Sequence, residues 1–363
     1  MELVIQEGQP DRKGKVVKHQ QAWAVVLAGG DGTRLRSLTR LIAGEDRPKQ
    51  FSRLYGGRTL LAQTRSRLAP AISPERTLFT VVKAHERFYT PELADVRPSR
   101  VVVQPSNKGT TAAVIYSLLR ISSLADDPIV GFFPTDHYYS EEMRFVASVR
   151  LALKAARERP DTVILLGASA EYPEVEYGWI EPDKRVECRF TNSLLHVNRF
   201  WEKPPTHVAQ ALLQRGCLWN TFVMIGRASA FLDLLKGAVP GMLRILGAAS
   251  CLSDAEPDFA HGDKAYAALT PGDFSQQVLS VSTERLAVLR LGDVGWSDLG
   301  TPERVMFAIT RSGLRSRRQA FAHNENLENL AKKSVSLGIE ERPIHPDVKE
   351  TDGARSWPRW QKG

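Results

Sequence analysis

The sequence predicts an α/β protein built on a doubly wound, mostly parallel Rossmann-like sheet. Short apolar runs alternate with amphipathic segments of helical period through the first half of the chain. The first of these runs, Ala22–Ala28, is continuously apolar and rich in valine, as in a parallel strand that is buried on both faces. Turn residues and acidic side chains follow several such runs, at the strand ends where sheets of this class bind ligands.

The first half alternates strands and helices in order. Thr59–Leu68 is amphipathic and is followed by two prolines, so a helix is expected to end there. A turn over Gln104–Thr111 leads into a helix that runs to about Leu124. The remaining predictions are strands at Thr77–Val82, Arg100–Val103, Ile129–Phe133 and Thr162–Gly167, and helices at His85–Pro91 and Glu141–Arg157.

The second half is more mixed. A loop is expected over Tyr172–Pro182, and Thr301 is expected to cap a last helix with Pro302 at its first position. The other predictions are strands at His196–Trp201, up to Ile225 and at Leu286–Leu291, and helices at Thr206–Arg215, Ala228–Lys236 and Gly241–Ala249. We find no internal repeat, and in particular no hexapeptide pattern of a C-terminal β-helix.

Length and composition bound the architecture. A chain of 363 residues has room for one large domain with an appendage, or for two modest domains. We predict a loose arm over residues 1–21, an α/β domain over residues 22–311 and a polar, mobile tail over residues 312–363. The apolar content of 42% and the charged content of 25% are those of an ordinary soluble protein.

The sequence also predicts the compartment. No run is apolar for about 18 residues, so no membrane span is expected. The opening Met1–Pro10 lacks the apolar core of a signal peptide. The cysteines Cys188, Cys217 and Cys251 are odd in number and lack C-x-x-C spacing, which favours reduced thiols in the cytoplasm over disulfides or a zinc site.

The net charge of +8 comes largely from clusters near the two ends. No aromatic platform is interleaved with these clusters, so solvated tails are favoured over nucleic-acid binding. A substrate that carries phosphate would also suit a basic protein. The clusters are Arg12, Lys13, Lys15 and Lys18, and Arg311, Arg315, Arg317 and Arg318.

A glycine-rich turn follows the first strand. Glycines at Gly29, Gly30 and Gly32 let backbone N–H groups approach an anion that a β-carbon would obstruct. Arg34 follows directly, and Lys49 stands after a kinked Arg-Pro step, so the turn and two cations predict a polyphosphate site. The alternative is a plain strand–helix connection, because the turn has neither a P-loop ending nor the third glycine of the dinucleotide fingerprint.

Three charged side chains are candidates for chemistry. Asp136 follows a buried strand and Asp298 lies in a glycine-rich turn, and magnesium needs only one or two carboxylates when substrate phosphates complete its coordination. Lys203 ends a strand next to a proline. The alternatives are a helix cap for Asp136, a turn aspartate for Asp298 and a solvated charge for Lys203.

The whole stretch Ala22–Phe51 resembles the signature of the sugar-1-phosphate nucleotidyltransferases, and its Arg47–Phe51 part is most similar to the mannose-1-phosphate guanylyltransferases. Six motifs in the family's order extend the resemblance over about residues 22–310. It implies a fold of the nucleotide-diphospho-sugar transferase type.

The resemblance also implies roles for individual residues. It makes Arg34, Lys49, Asp136, Lys203 and Asp298 the catalytic residues, with Mg²⁺ held by Asp136 and Asp298. For the sugar phosphate it implies Gly178, Glu202, Lys203 and Asn220. For the nucleotide it implies Leu27, Ala28, Gly29, Gly30, Gly32, Thr33, Arg34, Lys49, Gln104, Gly109, Thr110 and Asp136.

The implied reaction joins GTP and mannose 1-phosphate into GDP-mannose with release of diphosphate. The alternatives are another base or hexose in the same reaction, and a non-catalytic subunit that senses nucleotide sugars. Neither a nucleic-acid nor a membrane partner is expected, and a homodimer is left open.

Several residues depart from the family's pattern. Gly109 stands where the guanylyl enzymes have asparagine, and Gln104-Pro105-Ser106 is closer to the thymidylyl and uridylyl relatives. Arg36-Ser37, Ser275 and Ser280 also differ from the usual residues. These departures bear on the base and the sugar more than on the class of reaction.

Overall fold

A nine-stranded sheet forms the centre of the described part of the chain, which comprises residues 21–250 and 266–311 of a computed structural model. Two further short strands form a separate pair. The strands are β1 (Ala22–Leu27), β2 (Thr77–Val82), β3 (Val101–Gln104), β4 (Ile129–Pro134), β5 (His137–Tyr139), β6 (Val163–Ser169), β7 (Gly178–Arg185), β8 (Leu194–Glu202), β9 (Leu218–Arg227), β10 (Leu286–Arg290) and β11 (Trp296–Asp298).

Helices cover both faces of this sheet. They are α1 (Arg36–Ala43), α2 (Leu60–Leu68), α3 (Glu86–Glu92), α4 (Gly109–Leu124), α5 (Glu142–Glu158), α6 (Thr206–Gln214), α7 (Ala228–Ala238), α8 (Pro240–Ser250), α9 (Phe274–Gln277) and α10 (Pro302–Arg311). Thr59 accepts a hydrogen bond from the Ala62 N–H and so caps α2. At the start of α10, Thr301 Oγ1 accepts the Arg304 N–H and the Thr301 carbonyl accepts the Val305 N–H. Pro302 is the first residue of this helix, as expected.

The sheet order is β3-β2-β1-β4-β9-β6-β10-β8-β7. The predicted class is confirmed, and β3, β2, β1 and β4 are parallel to one another. The second half is mixed, because β9 runs antiparallel to both β4 and β6. β8 and β7 are added antiparallel at the far edge.

One predicted loop is partly a strand. β7 starts at Gly178, inside the stretch Tyr172–Pro182 that was expected to be irregular. Trp179 pairs with β8 on one side and with β9 on the other, and this pairing outweighs the local turn residues. Pro182 lies where the β7–β8 register shifts, a position at which a strand tolerates proline.

The core lies on both faces of the sheet. Along β1, Ala24 and Val26 belong to one apolar cluster, and Trp23 and Val25 belong to the other. This two-sided burial explains why the first strand is apolar at every position. All described residues fall within one compact unit. The predicted arm, except Gln21, and the predicted tail lie outside the described residues.

Two further findings concern the described residues alone. Cys188 and Cys217 are free thiols there, and Cys251 lies outside that part. No helix between residues 21 and 250 or 266 and 311 has the length and apolar character that crossing a membrane requires.

Candidate active site

A cleft of about 650 Å³ opens at the carboxyl ends of β1, β3 and β4. Eight of the residues predicted to bind the nucleotide line it, namely Leu27, Gly29, Gly30, Lys49, Gln104, Gly109, Thr110 and Asp136. The sheet therefore brings together side chains that are more than 100 positions apart in the chain. Its other walls come from Phe222 and from the segment Pro271–Asp273 with Gln276.

The glycine loop, Gly29–Gly32, is held from below by a side chain that sequence reasoning missed. Gln50 is buried, and its Nε2 donates to the carbonyl oxygens of Ala28 and Gly30 at 2.8 Å each. Gly32 adopts a left-handed φ of 60°, which a glycine takes without strain. These two hydrogen bonds fix the backbone at the start of the glycine loop. Gln50 belongs to the recognised Arg-Pro-Lys-Gln-Phe string, but only the fold reveals this role.

The loop is also tied to the segment Gln104–Thr111, which we call the base-reading segment because the resemblance implies that it lies beside the base of the nucleotide. Asn107 Nδ2 donates to Asp31 Oδ2 at 2.8 Å, and His85 Nε2 lies 3.5 Å from the other oxygen of Asp31. Burial lowers the pKa of His85. The glycine loop and the base-reading segment are therefore held as one wall of the cleft.

Gly109 has a structural reason for departing from the family's asparagine. Its φ is 83°, and a β-carbon would collide with the carbonyl oxygen of Gly272. That carbonyl accepts the Thr111 N–H at 3.1 Å, and Gly272 N–H donates to the Lys108 carbonyl at 3.0 Å. Thr110 Oγ1 accepts the Phe274 N–H at 2.8 Å. The segment around Gly272 therefore closes over the base-reading segment, a contact that no spacing in the sequence indicates.

The two predicted metal ligands come together through the short β5–β11 pair. Asp298 lies opposite His137 in this ladder, and the Leu299 N–H donates to the Asp136 carbonyl at 2.8 Å. Within the described residues, no three His, Cys, Asp or Glu side chains converge as a ready-made metal site. Two adjacent carboxylates fit a magnesium ion whose remaining ligands are substrate phosphates and water.

Asp136 is paired with the second predicted cation of the phosphate site. Lys49 Nζ lies 2.5 Å from Asp136 Oδ2, and both side chains are largely buried. Burial raises the pKa of Asp136, but the charges of Lys49 and His137 outweigh this effect and lower it to about 2. Asp136 is therefore a carboxylate at neutral pH, the form that a metal requires.

Asp298 is oriented by two partners on one oxygen. Tyr177 donates its hydroxyl to Oδ1 at 2.6 Å, and Arg304 Nη1 donates to the same atom at 2.8 Å. Arg304 Nη2 also binds Glu174 at 2.6 Å. Burial, with the Asp298 charge, raises the pKa of Tyr177. In the described part of the chain Oδ2 of Asp298 accepts no hydrogen bond, so this oxygen is available to a cation.

Three residues predicted to bind sugar, Gly178, Glu202 and Asn220, form a cluster that we call the sugar cluster. Gly178 faces Glu202 in the β7–β8 ladder, and a β-carbon at Gly178 would lie 2.8 Å from Glu202 Oε2 and 3.3 Å from Asn220 Cβ. Burial, followed by the charge of Asp273, raises the pKa of Glu202 to about 7 despite the attraction of Lys203. Asn220 Nδ2 lies 3.5 Å from Ser275 Oγ, so one departing residue contacts this cluster.

The predicted cations Lys203 and Arg34 lie at the margin. Lys203 is half exposed, its Nζ is 3.6 Å from Glu202 Oε1, and its φ of 46° is unusual for a lysine. Arg34 is exposed and pairs with Glu176 at 3.1 Å. Neither side chain is among the residues that line the cleft.

Comparisons with known proteins bear on this arrangement. A sequence profile of the family described as nucleotidyl transferase matches residues 23–311. The xanthan biosynthesis protein XanB of Xanthomonas campestris is 30% identical over 315 residues, which are 86% of this chain and 63% of that protein. Mannose-1-phosphate guanylyltransferase 2 of Escherichia coli O157:H7 is 27% identical over 286 residues, which are 77% of this chain and 58% of that protein. The chain thus spans about 60% of the length of these curated relatives.

Solved structures agree with the fold. A Thermus thermophilus protein described as a mannose-1-phosphate geranyltransferase has a TM-score of 0.66 and 29% identity, over 77% of this chain and 76% of its own. A Helicobacter pylori protein described as a mannose-6-phosphate isomerase has a TM-score of 0.59 at 21% identity, over 77% of this chain and 100% of its own. The second likeness concerns the fold alone. With the profile matching 23–311 and these relatives beside it, the chain belongs to the nucleotidyl transferase family.

Proposed function

We propose that this protein is a sugar-1-phosphate nucleotidyltransferase that joins GTP and mannose 1-phosphate to GDP-mannose and releases diphosphate. The observation that carries the proposal is that the β5–β11 pair brings Asp136 and Asp298 together at the cleft that Asp136 lines. Residues of the glycine loop and of the base-reading segment line this cleft, and Tyr177, which precedes Gly178 of the sugar cluster, donates its hydroxyl to Asp298. A nucleotide and a sugar phosphate bound there would meet at the carboxylates.

The residues divide the work of the reaction by position. The glycine loop offers backbone N–H groups to the triphosphate, and Lys49 adds a buried positive charge beside Asp136. Lys203 at the sugar cluster would bind the sugar phosphate and bring its oxygen in line with the α-phosphorus of the nucleotide. No general base is required, because the sugar phosphate is already ionised at neutral pH. Held by Asp136 and Asp298, Mg²⁺ would supply neutralisation of the phosphate charges that must approach each other.

The choice of GTP and mannose rests on narrower support. The Arg47–Phe51 string is most similar to guanylyl enzymes, and relatives named mannose-1-phosphate guanylyltransferase are 27% identical. The residue Gly109, by contrast, departs from that pattern, and the structure gives its reason in Gly272.

A turnover panel tests both levels of the proposal. The purified chain is incubated with Mg²⁺ and each pairing of four nucleoside triphosphates with several hexose 1-phosphates, and diphosphate release is measured. We expect turnover with at least one pair, and the highest kcat/KM for GTP with mannose 1-phosphate. Preference for another pair would correct the specificity, whereas binding without turnover would identify a sensing subunit and overturn the proposed reaction.

A further inference from the structure

Phe222 is a large side chain held in a backbone conformation that favours glycine. Its φ is 57°, in the left-handed region. Bulky residues rarely adopt this region because the β-carbon approaches the following carbonyl. Such strain persists only where surrounding contacts enforce it, and it is common at ligand sites.

Neighbouring side chains enforce this conformation. Asn220 Oδ1 accepts the Phe222 N–H at 3.0 Å. Thr221 Oγ1 donates to the Leu166 carbonyl at 2.6 Å, and the register of β6 with β9 breaks between Leu165 and Gly167. The strand is therefore bulged at this point, and the bulge turns Phe222 toward the cleft that it lines.

Core packing alone does not account for the ring. Phe222 contacts Phe274 edge to face with ring centroids 6.2 Å apart, but Phe274 is fully buried whereas Phe222 is half-buried. An aromatic ring that needed only this packing would not require a strained strand. Its accessible part faces the cleft, where a substrate would cover it.

The order of the strands indicates which substrate. Gln104 lies on β3, the glycine loop follows β1 and Asp136 follows β4, so the base, the phosphates and the carboxylates succeed one another across the sheet. The next strand is β9, which carries Phe222 two residues after Asn220 of the sugar cluster. The ring therefore lies beyond the phosphates, on the side of the sugar.

We propose that the Phe222 ring is the surface against which the apolar face of the sugar 1-phosphate packs, and that it helps to select the hexose. This inference rests on the proposed function, because it assumes that a sugar phosphate binds beside Asn220. The C–H groups on one face of a pyranose form an apolar surface that suits an aromatic ring, and the hydroxyls at the rim are left for Asn220 and Glu202.

The test compares Phe222→Gly, Phe222→Ala and Phe222→Leu with the wild type. Glycine removes both ring and strain, alanine removes only the ring, and leucine keeps apolar contact with Phe274 without an aromatic face. Phe190→Ala is the matched control, since that ring is 44% exposed and does not line the cleft. KM and kcat are measured for both substrates, and kcat/KM is measured across the hexose 1-phosphates.

We expect Phe222→Gly and Phe222→Ala to raise KM for the sugar 1-phosphate about tenfold. They should also reduce the differences in kcat/KM between the hexose 1-phosphates. KM for the nucleotide is expected to change by less than about twofold. The melting temperature of Phe222→Gly should equal or exceed that of Phe222→Ala, because glycine adopts the left-handed backbone conformation without strain. The Phe190→Ala control should match the wild type.

Two results would overturn the proposal. One is that Phe222→Gly and Phe222→Ala leave the KM for the sugar 1-phosphate and the preference among hexoses unchanged. If those two variants do not fold, the same result in Phe222→Leu overturns it. The other is an equal rise in the nucleotide KM, which would assign the ring to the nucleotide. Failure of the proposed function is read separately, from a wild-type chain that turns over no sugar 1-phosphate, and the inference would fall with it.

Discussion

Asp136 and Asp298 differ in how their oxygens are already engaged. Asp136 carries Lys49 on Oδ2, and Asp298 carries Tyr177 and Arg304 on Oδ1. Both Asp136→Asn and Asp298→Asn should lower kcat/KM by roughly a hundredfold or more at saturating Mg²⁺, because a neutral amide holds the cation poorly and the phosphate charges are then not neutralised. The exposed Asp46→Asn, which removes a pair with Arg40 outside the cleft, is the control. Near wild-type turnover in either variant would exclude that residue as a ligand.

Asp298 also contributes to the stability of the fold. Asp298 neutralises Arg304, whose side chain is about a tenth exposed, so Asp298→Asn should also lower the free energy of unfolding by about 1–3 kcal/mol. Glu174 remains to hold Arg304, which limits the loss. Urea denaturation measures the effect.

Substitutions of Lys203 and Arg34 are expected to affect different substrates. Lys203→Ala should raise KM for the sugar phosphate by roughly tenfold to a hundredfold, because a charge-assisted contact contributes about 1.5–3 kcal/mol, and should affect the nucleotide KM far less. Arg34→Ala should instead depress kcat, since the diphosphate must leave with its charge stabilised. Glu176→Gln is its matched control, because it frees Arg34 from its partner and should not reduce kcat. A Lys203→Ala variant that weakens only the nucleotide would refute the division into nucleotide and sugar sides.

Glu202 predicts a pH dependence of stability. Burial raises its pKa from 4.5 to about 7. Between pH 4.5 and pH 7, Glu202 is therefore protonated in the native protein and ionised in the unfolded chain. Its contribution to the free energy of unfolding is fully present below pH 4.5 and is lost as the pH rises to 7. Relative to Glu202→Gln, the wild type should therefore lose on the order of 1–3 kcal/mol between pH 5 and pH 8. Parallel melting temperatures of the two proteins across this range would show that Glu202 has no raised pKa.

At the scale of elements, the base-reading segment depends on its contact with Gly272. Gly109→Ala must adopt a left-handed backbone and displace the Gly272 carbonyl, which should cost roughly 1–3 kcal/mol of unfolding free energy. The displacement should raise KM for the nucleotide more than for the sugar phosphate. Gly57→Ala is the control, because Gly57 has a similar φ of 73° with open space around it. Equal effects of the two substitutions would mean that only the backbone conformation matters at Gly109.

Local pattern predicted the elements well where one chain segment determines its own structure. The strand Thr77–Val82 has the predicted bounds, and the helix predicted over Thr59–Leu68 begins one residue later because Thr59 is its cap. The strand at Gly178 was missed because its pairing with β8 and β9 determines it, whereas its own residues favour a turn. Likewise, Gln50 under the glycine loop and Gly272 against Gly109 depend on tertiary contacts that no spacing reveals. Eight residues of the predicted motifs line the cleft, and only the fold reveals the residues that hold them in place.

At the scale of the whole molecule, every predicted site residue lies between Leu27 and Asp298, and the last described helix, α10, ends at Arg311. Removal of the residues after Arg318 should therefore leave kcat and both KM values within about twofold of the full chain. A chain that ends at Gly300 is the matched control, because it also loses α10 and with it Arg304, the partner of Asp298 and Glu174. That shorter chain should lose both stability and turnover. If the chain that ends at Arg318 folds, as judged by its melting transition, but has lost turnover, the removed residues complete the site or an interface between copies.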